Sequence, residues 1–340
     1  MRQALNPFIL PSLYNLRRAD ESRLRKRVVM SRTSTLKVWT AMLAAMAAAV
    51  LGLFVALMIT PPAASALSSD HGASFAVRCD FSHRNSDDPI VHPGEPGTAH
   101  SHDYFGNESA KFDSTYQSMI VATTTCSRPE DTAGYWIPTV KWNDKDLKAF
   151  RAVFYYRAGG KDYTQVRPFA PDLKVIDSAR ITWRCGISDS GTGSPTPPTR
   201  CSGGVLGVRI IFPDCVAADA NGQQVLDSTD HKLHMVRSVL SSDGTTRKCP
   251  DMHSIPVPTL TVNANFKIPT TSGTVTLSSG DASTMHADFW NTWDQDTPWN
   301  PNPSDGVSYG GLNALVEHCI NDVPPTEPRP TQCRAPSAGG

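Results

Sequence analysis

The sequence predicts a mainly β chain: one large disulfide-stapled domain, a β-sandwich of jelly-roll type, with one short C-terminal helix. Three observations predict it. Apolar and β-branched runs recur with Gly, Pro, Asn and Asp between them, the pattern of short strands joined by turns. No helical period alternates with those runs, which argues against a parallel α/β sheet. All eight cysteines (Cys79, Cys126, Cys185, Cys201, Cys215, Cys249, Cys319 and Cys333) lie beyond residue 66. An even count in an oxidising compartment reads as four disulfides.

The elements follow in order. Residues 1–37 are a basic N-terminal region, with nine Arg or Lys against two acids. Residues 38–59, VWTAMLAAMAAAVLGLFVALMI, form an uncharged apolar run of 22 residues, followed by PPAASA. Residues 38–66 therefore read in one of two ways. They are a signal peptide cut after the small-residue site Ala64-Ser65-Ala66, or an uncleaved anchor whose basic end stays in the cytoplasm. Met30 is a second candidate start, because SRTSTLK alone makes an ordinary n-region. On either reading the chain from Leu67 onward is exported, to the cell envelope or beyond. That part keeps 23 bases against 30 acids and has no basic run. Nucleic acid is accordingly excluded as a partner, and a membrane is expected only through the anchor.

Residues 67–319 are the β domain. SMIVATTT (118–125), YWIPTVKW (135–142), FRAVFYYRA (150–158), RITWRC (180–185) and VLGVRIIF (205–212) read as strands. So do KLHMVRSVL (232–240), TLTVNANFKI (259–268) and GTVTLSS (273–279). GGLNALVEHCI places Leu312, Leu315, Val316 and Cys319 at helical spacing, the one helix expected. Residues 320–340 are a proline-rich tail, expected to be extended and tied only by Cys333. Proximity along the chain suggests the pairs Cys185–Cys201 and Cys215–Cys249.

The chemistry-bearing residues gather in short polar motifs beside these strands. In DPIVHPGEPGTAHSHDYFGN, His100 and His102 are one residue apart, so an extended backbone points both to one face. Next to Asp103 and Tyr104, two such imidazoles either hold a metal or share a proton. DSTDHKLHMV offers Asp230, His231 and His234; the context favours a strand from Lys232, with Asp230 and His231 in the turn before it. CPDMHSIPVP adds His253, which either binds or packs against the nearby disulfide. TMHADFWNTWD adds His286, Asp288 and Asp294. Its Trp290 and Trp293 read either as core or as a platform for sugar rings. Isolated histidines such as His71, His83 and His318 read as surface or satisfied-core groups, since metal ligands come in clusters.

These motifs, in this order with YWIPTV and FPDC between them, resemble the DUF1996 family over about residues 75–319. DUF1996 groups secreted fungal and bacterial proteins and is named for having no established function, so the resemblance implies an exported domain and no particular reaction. The matching residues are His100, His102, Gly106, Asn107, Asp230, His231, His234, His253, His286, Asp288 and Trp293. His92 departs from the family's pattern and is left out of the expected site.

Several mechanisms are excluded by what the sequence lacks. It has no Gly-x-Ser-x-Gly elbow, His-Glu-x-x-His helix, P-loop, Rossmann glycine pattern or Cys-x-x-Cys pair. Three functions stay open. The first is a histidine-dependent enzyme on extracellular or cell-wall polysaccharide, with His100, His102, Asp230, His231, His234, His286 and Asp288 as catalytic candidates. The second is a zinc or copper site on three of His100, His102, His234 and His286. The third is a non-catalytic wall-associated protein that binds carbohydrate through Trp290 and Trp293, with Tyr104, Asn107 and His253 as further ligand contacts.

Overall fold

The computed structural model describes residues 72–187, 193–242, 244–304 and 308–335. The expected basic region, apolar run and cleavage site lie outside the described residues. Ten strands build two antiparallel sheets: β1 Ser74–Cys79, β2 Phe81–Asn85, β3 His102–Gly106, β4 Gly134–Pro138, β5 Ala149–Arg157, β6 Lys174–Asp177, β7 Ile181–Cys185, β8 Val205–Ile211, β9 Thr259–Lys267 and β10 Ala287–Trp290. The first sheet runs β1-β5-β9-β8-β7 and the second β2-β3-β4-β10-β6. Further two- and three-residue strands form small sheets at the margins.

Alternation along the strands explains why the sheets pack face to face. On β5, Ala152, Phe154 and Tyr156 enter the main core, while Val153 and Tyr155 face the other way. Phe105 and Tyr135 of the second sheet meet them, with the Tyr135 and Phe154 rings 4.0 Å apart. Phe289 of β10 crosses to Phe212, at 6.3 Å. Each such aromatic contact adds roughly 0.5–1.5 kcal/mol beyond the area it buries. The sandwich expected from the strand pattern is the fold observed.

All eight cysteines are paired: Cys79–Cys126, Cys185–Cys201, Cys215–Cys249 and Cys319–Cys333. The two pairs suggested by proximity are among them. The C-terminal helix forms as α2, Leu312–Val316, and continues as a wider turn over Glu317–Asn321. The tail, however, is tied by more than Cys333. Arg329 is buried and donates to Ser74 Oγ at 3.0 Å, and Arg128 donates to the carbonyl oxygens of Gln332 and Arg334.

Two expected strands are replaced. Residues 232–240 hold only the two-residue strands Met235–Val236 and Val239–Leu240, because Asp230 accepts from the Lys232 and Leu233 amides and keeps Lys232, Leu233 and His234 in the turn. Residues 116–119 form a short helix, α1 Tyr116–Met119. Thr115 and Ser118 exchange side-chain-to-backbone hydrogen bonds at its start, a capping box that holds the first turn against the β-branched residues after it. Met119 then drops onto the outer face of the second sheet. There it joins Ile90, Tyr104, Ala110, Trp136, Ile176 and Trp290 in a smaller apolar cluster.

Candidate functional site

The register of the second sheet sets out the site. Tyr104 pairs with Trp136, Trp136 with Asp288, and Asp288 with Ile176, so these four side chains form one row across the outer face. Two residues further along, His102 pairs with Pro138. The same step from Asp288 brings His286 into that next row. His102 and His286 thus start about 10 Å apart at their backbones, with β4 between them. The small ring of Pro138 leaves the space above β4 free, and the two imidazoles meet there.

His100, in the approach to β3, completes a group of three. Its ring centre lies 4.2 Å from that of His102 and 5.0 Å from that of His286, and one nitrogen of each ring lies within 4.8 Å of the others. Asp230, His231, His234 and His253 stand outside this group.

Hydrogen bonding fixes the protons. His102 Nδ1 lies 3.0 Å from the Asp87 carbonyl oxygen and His286 Nδ1 lies 2.9 Å from that of Thr284. A carbonyl oxygen only accepts, so each Nδ1 carries the hydrogen and each neutral ring keeps a bare lone pair on Nε2. Those two Nε2 atoms face each other at 3.4 Å. Two lone pairs repel at that distance unless a cation lies between them. His100 Nε2 is also buried with no hydrogen-bond partner.

The electrostatics sharpen this picture. Burial, then the neighbouring His286 and His92, lowers His100 to about 4. Burial, then His100 and His286, holds His102 well below the ordinary imidazole value. Burial also lowers His286, outweighing the Thr284 carbonyl and Asp88. Asp288 is fully buried, and neither carboxylate oxygen has a hydrogen-bond partner. Its Oδ2 lies 3.7 Å from His286 Nε2, and burial followed by the nearby Asp88 pushes its carboxyl well above the usual range.

A cavity of about 440 Å³ opens on this group, with His100, His286, Asp288, Asp88 and Lys232 in its wall. Lys232 and Asp88 are the residues that reading the sequence did not single out. Asp88 sits in the His100 motif as an ordinary turn residue, and its Oδ1 does accept from the Ile90 and Val91 amides at 3.0 Å. Lys232 lies inside DHKLHMV, where the flanking histidines carry the eye. The signal for both was a charge inside a histidine motif.

The remaining candidates sit elsewhere. Asp230 is exposed and its Oδ1 accepts from Ser228 Oγ and the Lys232 and Leu233 amides, shaping the turn that presents Lys232. His231 Nδ1 lies 2.8 Å from Asp227 Oδ1, and His234 Nδ1 lies 3.0 Å from Ser228 Oγ. His253 Nε2 meets the Leu233 carbonyl at 2.8 Å, clasping the same turn. Tyr104 is buried, donates to the Asp87 carbonyl at 2.7 Å and stacks on His83. Asn107 is buried and bridges the Met119 and Thr132 carbonyls. Trp290 and Trp293 are both core residues. Trp290 donates to Asp172 at 2.7 Å, and Trp293 donates to Tyr156 at 3.0 Å. His92 borders the cavity, with Nδ1 3.3 Å from Glu95.

No curated protein and no solved structure matches the chain at a significant level. Residues 88–293, more than half of the chain, do match one family, and they include the three clustered histidines and the carboxylates beside them; the chain belongs to DUF1996, a domain of unknown function.

Proposed function

We propose that His100, His102 and His286 form a transition-metal centre, for zinc or copper, in an exported enzyme that acts on a polar extracellular polymer such as a cell-wall polysaccharide. One observation carries the metal reading: two Nε2 lone pairs, each fixed by a backbone carbonyl behind its ring, converge at 3.4 Å. Two ligands at 2.0–2.1 Å from a tetrahedral ion stand about 3.3 Å apart. A carbonyl that orients the far nitrogen is the usual outer support of a metal-bound histidine.

Three imidazoles, of which His100 and His286 line an open cavity and His102 is buried behind them, are the donor set of a catalytic site, not of a closed structural one. Imidazole donors suit zinc and copper. The ion would supply Lewis acidity, and the unpartnered Asp288 carboxylate stands where it can take up a proton. The cavity volume falls in the range of small-ligand pockets and its wall is charged, which suits a sugar ring better than an apolar ligand. The four disulfides fit an oxidising compartment. Among the described residues no helix is long and apolar enough to cross a membrane.

A second reading rests on the same 3.4 Å: one proton shared by His102 and His286 as a metal-free acid–base pair. Burial disfavours the charged imidazole that this requires. The test is elemental analysis of untagged protein incubated with zinc or copper and then dialysed. The metal reading expects close to one ion per chain; less than about 0.2 per chain rejects it, because a three-histidine site is well occupied at micromolar metal. Turnover of wall polysaccharide that persists in His102→Ala would reject the enzyme reading.

A further inference from the structure

A second, smaller cavity of about 220 Å³ lies beyond the end of β6, lined by Arg180, Arg237, Arg247 and Asp214. Its charges do not balance. Asp214 is fully engaged, accepting from Lys161 Nζ at 2.5 Å, the Ser238 amide at 2.7 Å, Ser238 Oγ at 3.0 Å and Thr259 Oγ1 at 2.7 Å. Burial pushes its carboxyl up, but Lys161 and these hydrogen bonds outweigh that and hold it ionised, below the usual range. Asp177 is likewise committed, to Arg237 at 2.7 Å.

Two acids therefore neutralise Lys161 and Arg237, while Arg180 and Arg247 meet no carboxylate among the described residues. Arg247 donates only to neutral oxygens of Ser238. Arg237 Nε is buried with no partner. Arg180 and Arg247 stand in the cavity wall without a carboxylate, and their guanidinium groups keep charge-assisted donors for an anion.

We propose that this cavity binds a tetrahedral oxyanion, sulfate or phosphate, on the guanidinium groups of Arg180, Arg237 and Arg247. The planar fork of arginine matches the oxygen spacing of such an anion, and a net excess of two positive charges matches a dianion. The site is separate from the histidine centre but near it along the chain: Ser178 lines the histidine cavity and Arg180 lines this one. An ester sulfate or phosphate on a polymer would be gripped beside the histidines, whereas a free anion would occupy the cavity alone.

Calorimetric titration of the full chain with sodium sulfate and sodium phosphate, against sodium chloride at matched ionic strength, tests this. The expected result is saturable one-to-one binding that chloride does not reproduce. Arg180→Ala and Arg247→Gln should each weaken it by about tenfold or more, the loss of one charge-assisted contact, while Arg180→Lys retains part of it and His102→Ala leaves it unchanged. Arg180 is exposed, so its variants test the site even if Arg247→Gln does not fold. A sulfated oligosaccharide that binds more tightly than free sulfate assigns the site to a polymer ester; equal or weaker binding assigns it to the free anion. Absence of saturable sulfate and phosphate binding at millimolar concentration, or binding that Arg180→Ala leaves intact, overturns the proposal.

Discussion

Two buried polar groups sit on opposite faces of the same sheet, and they differ in one respect. On the inner face Asp131, Tyr135, Tyr156 and Trp293 close on one another. Tyr135 donates to Asp131, the Ala133 amide does so at 3.2 Å, and Trp293 donates to both tyrosine hydroxyls. No polar side-chain atom in that group lacks a partner. On the outer face His100 Nε2 and both oxygens of Asp288 have none, and the Nε2 atoms of His102 and His286 offer each other only lone pairs. Buried polar atoms in a folded chain normally find partners, because leaving one unmet costs about 1–3 kcal/mol. The inner group therefore explains itself as structure. The outer group carries unmet polar atoms of the kind a ligand would satisfy, and the proposed metal centre rests on that difference.

The sharpest way to break the comparison is to remove one lone pair. His286→Ala should lower zinc affinity by at least about a hundredfold, since even losing an outer support of a metal ligand costs ten- to a hundredfold. Competition with a chromogenic chelator measures it, and the metal-free protein should be no less stable than the parent. The inner group should respond in the opposite way. Tyr156→Phe should leave zinc affinity unchanged and cost about 1–3 kcal/mol of stability by stripping Trp293 and Tyr135 of a partner. A Tyr156→Phe protein that bound metal poorly would mean the two faces are one coupled unit.

Asp288 lies between these extremes and sharpens the comparison. Replacing it with Leu should stabilise the metal-free protein by about 1–3 kcal/mol, because a buried unpartnered carboxyl is a liability there. The same change should weaken metal binding by roughly ten- to a hundredfold. Denaturation of stripped protein and chelator competition read the two effects separately. If Asp288→Leu destabilised the stripped protein, Asp288 would be a structural group.

The same contrast explains how far the sequence could be read. The central strands were legible because β5 and β9 carry long β-branched and aromatic runs. Five strands were not: β1, SFAVRC, which went unnoticed although apolar, and β2, β3, β6 and β10, whose FSHRN, HDYFG, KVID and ADFW place His, Arg and Asp where a search for strands expects apolar residues. Three of those strands carry or flank the site, so the polar residues that hid them are the ones that give it chemistry. His100, His102 and His286 could be named in advance as imidazoles in polar motifs. That His286 and not His234 would join the pair could not, because it depends on the pairing of β4 with β10, across more than 150 residues of chain. Lys232 and Asp88 were hidden by their company, and Asp131 by sitting outside every motif.

Asp131 also supplies a prediction that tests the structural half of the comparison alone. It is fully enclosed, and burial raises its carboxyl well above the ordinary value even though Tyr135 and the Ala133 amide pull the other way. The folded protein therefore keeps a proton on Asp131 at pH values where the unfolded chain has released it. A group whose folded value is raised contributes stability that is present below the unfolded value and is lost as pH rises, by at most about 1.4 kcal/mol per pH unit. Asp131→Asn has no proton to lose. Urea midpoints at pH 4.5 and 7.5 should consequently fall further in the parent than in Asp131→Asn, and the gap between the two proteins isolates Asp131 from every other titrating group. Identical slopes would mean that Asp131 is ionised in the fold, with the buried Arg128 beside it as counter-charge, and the inner group would then be a buried ion pair and not a neutral network.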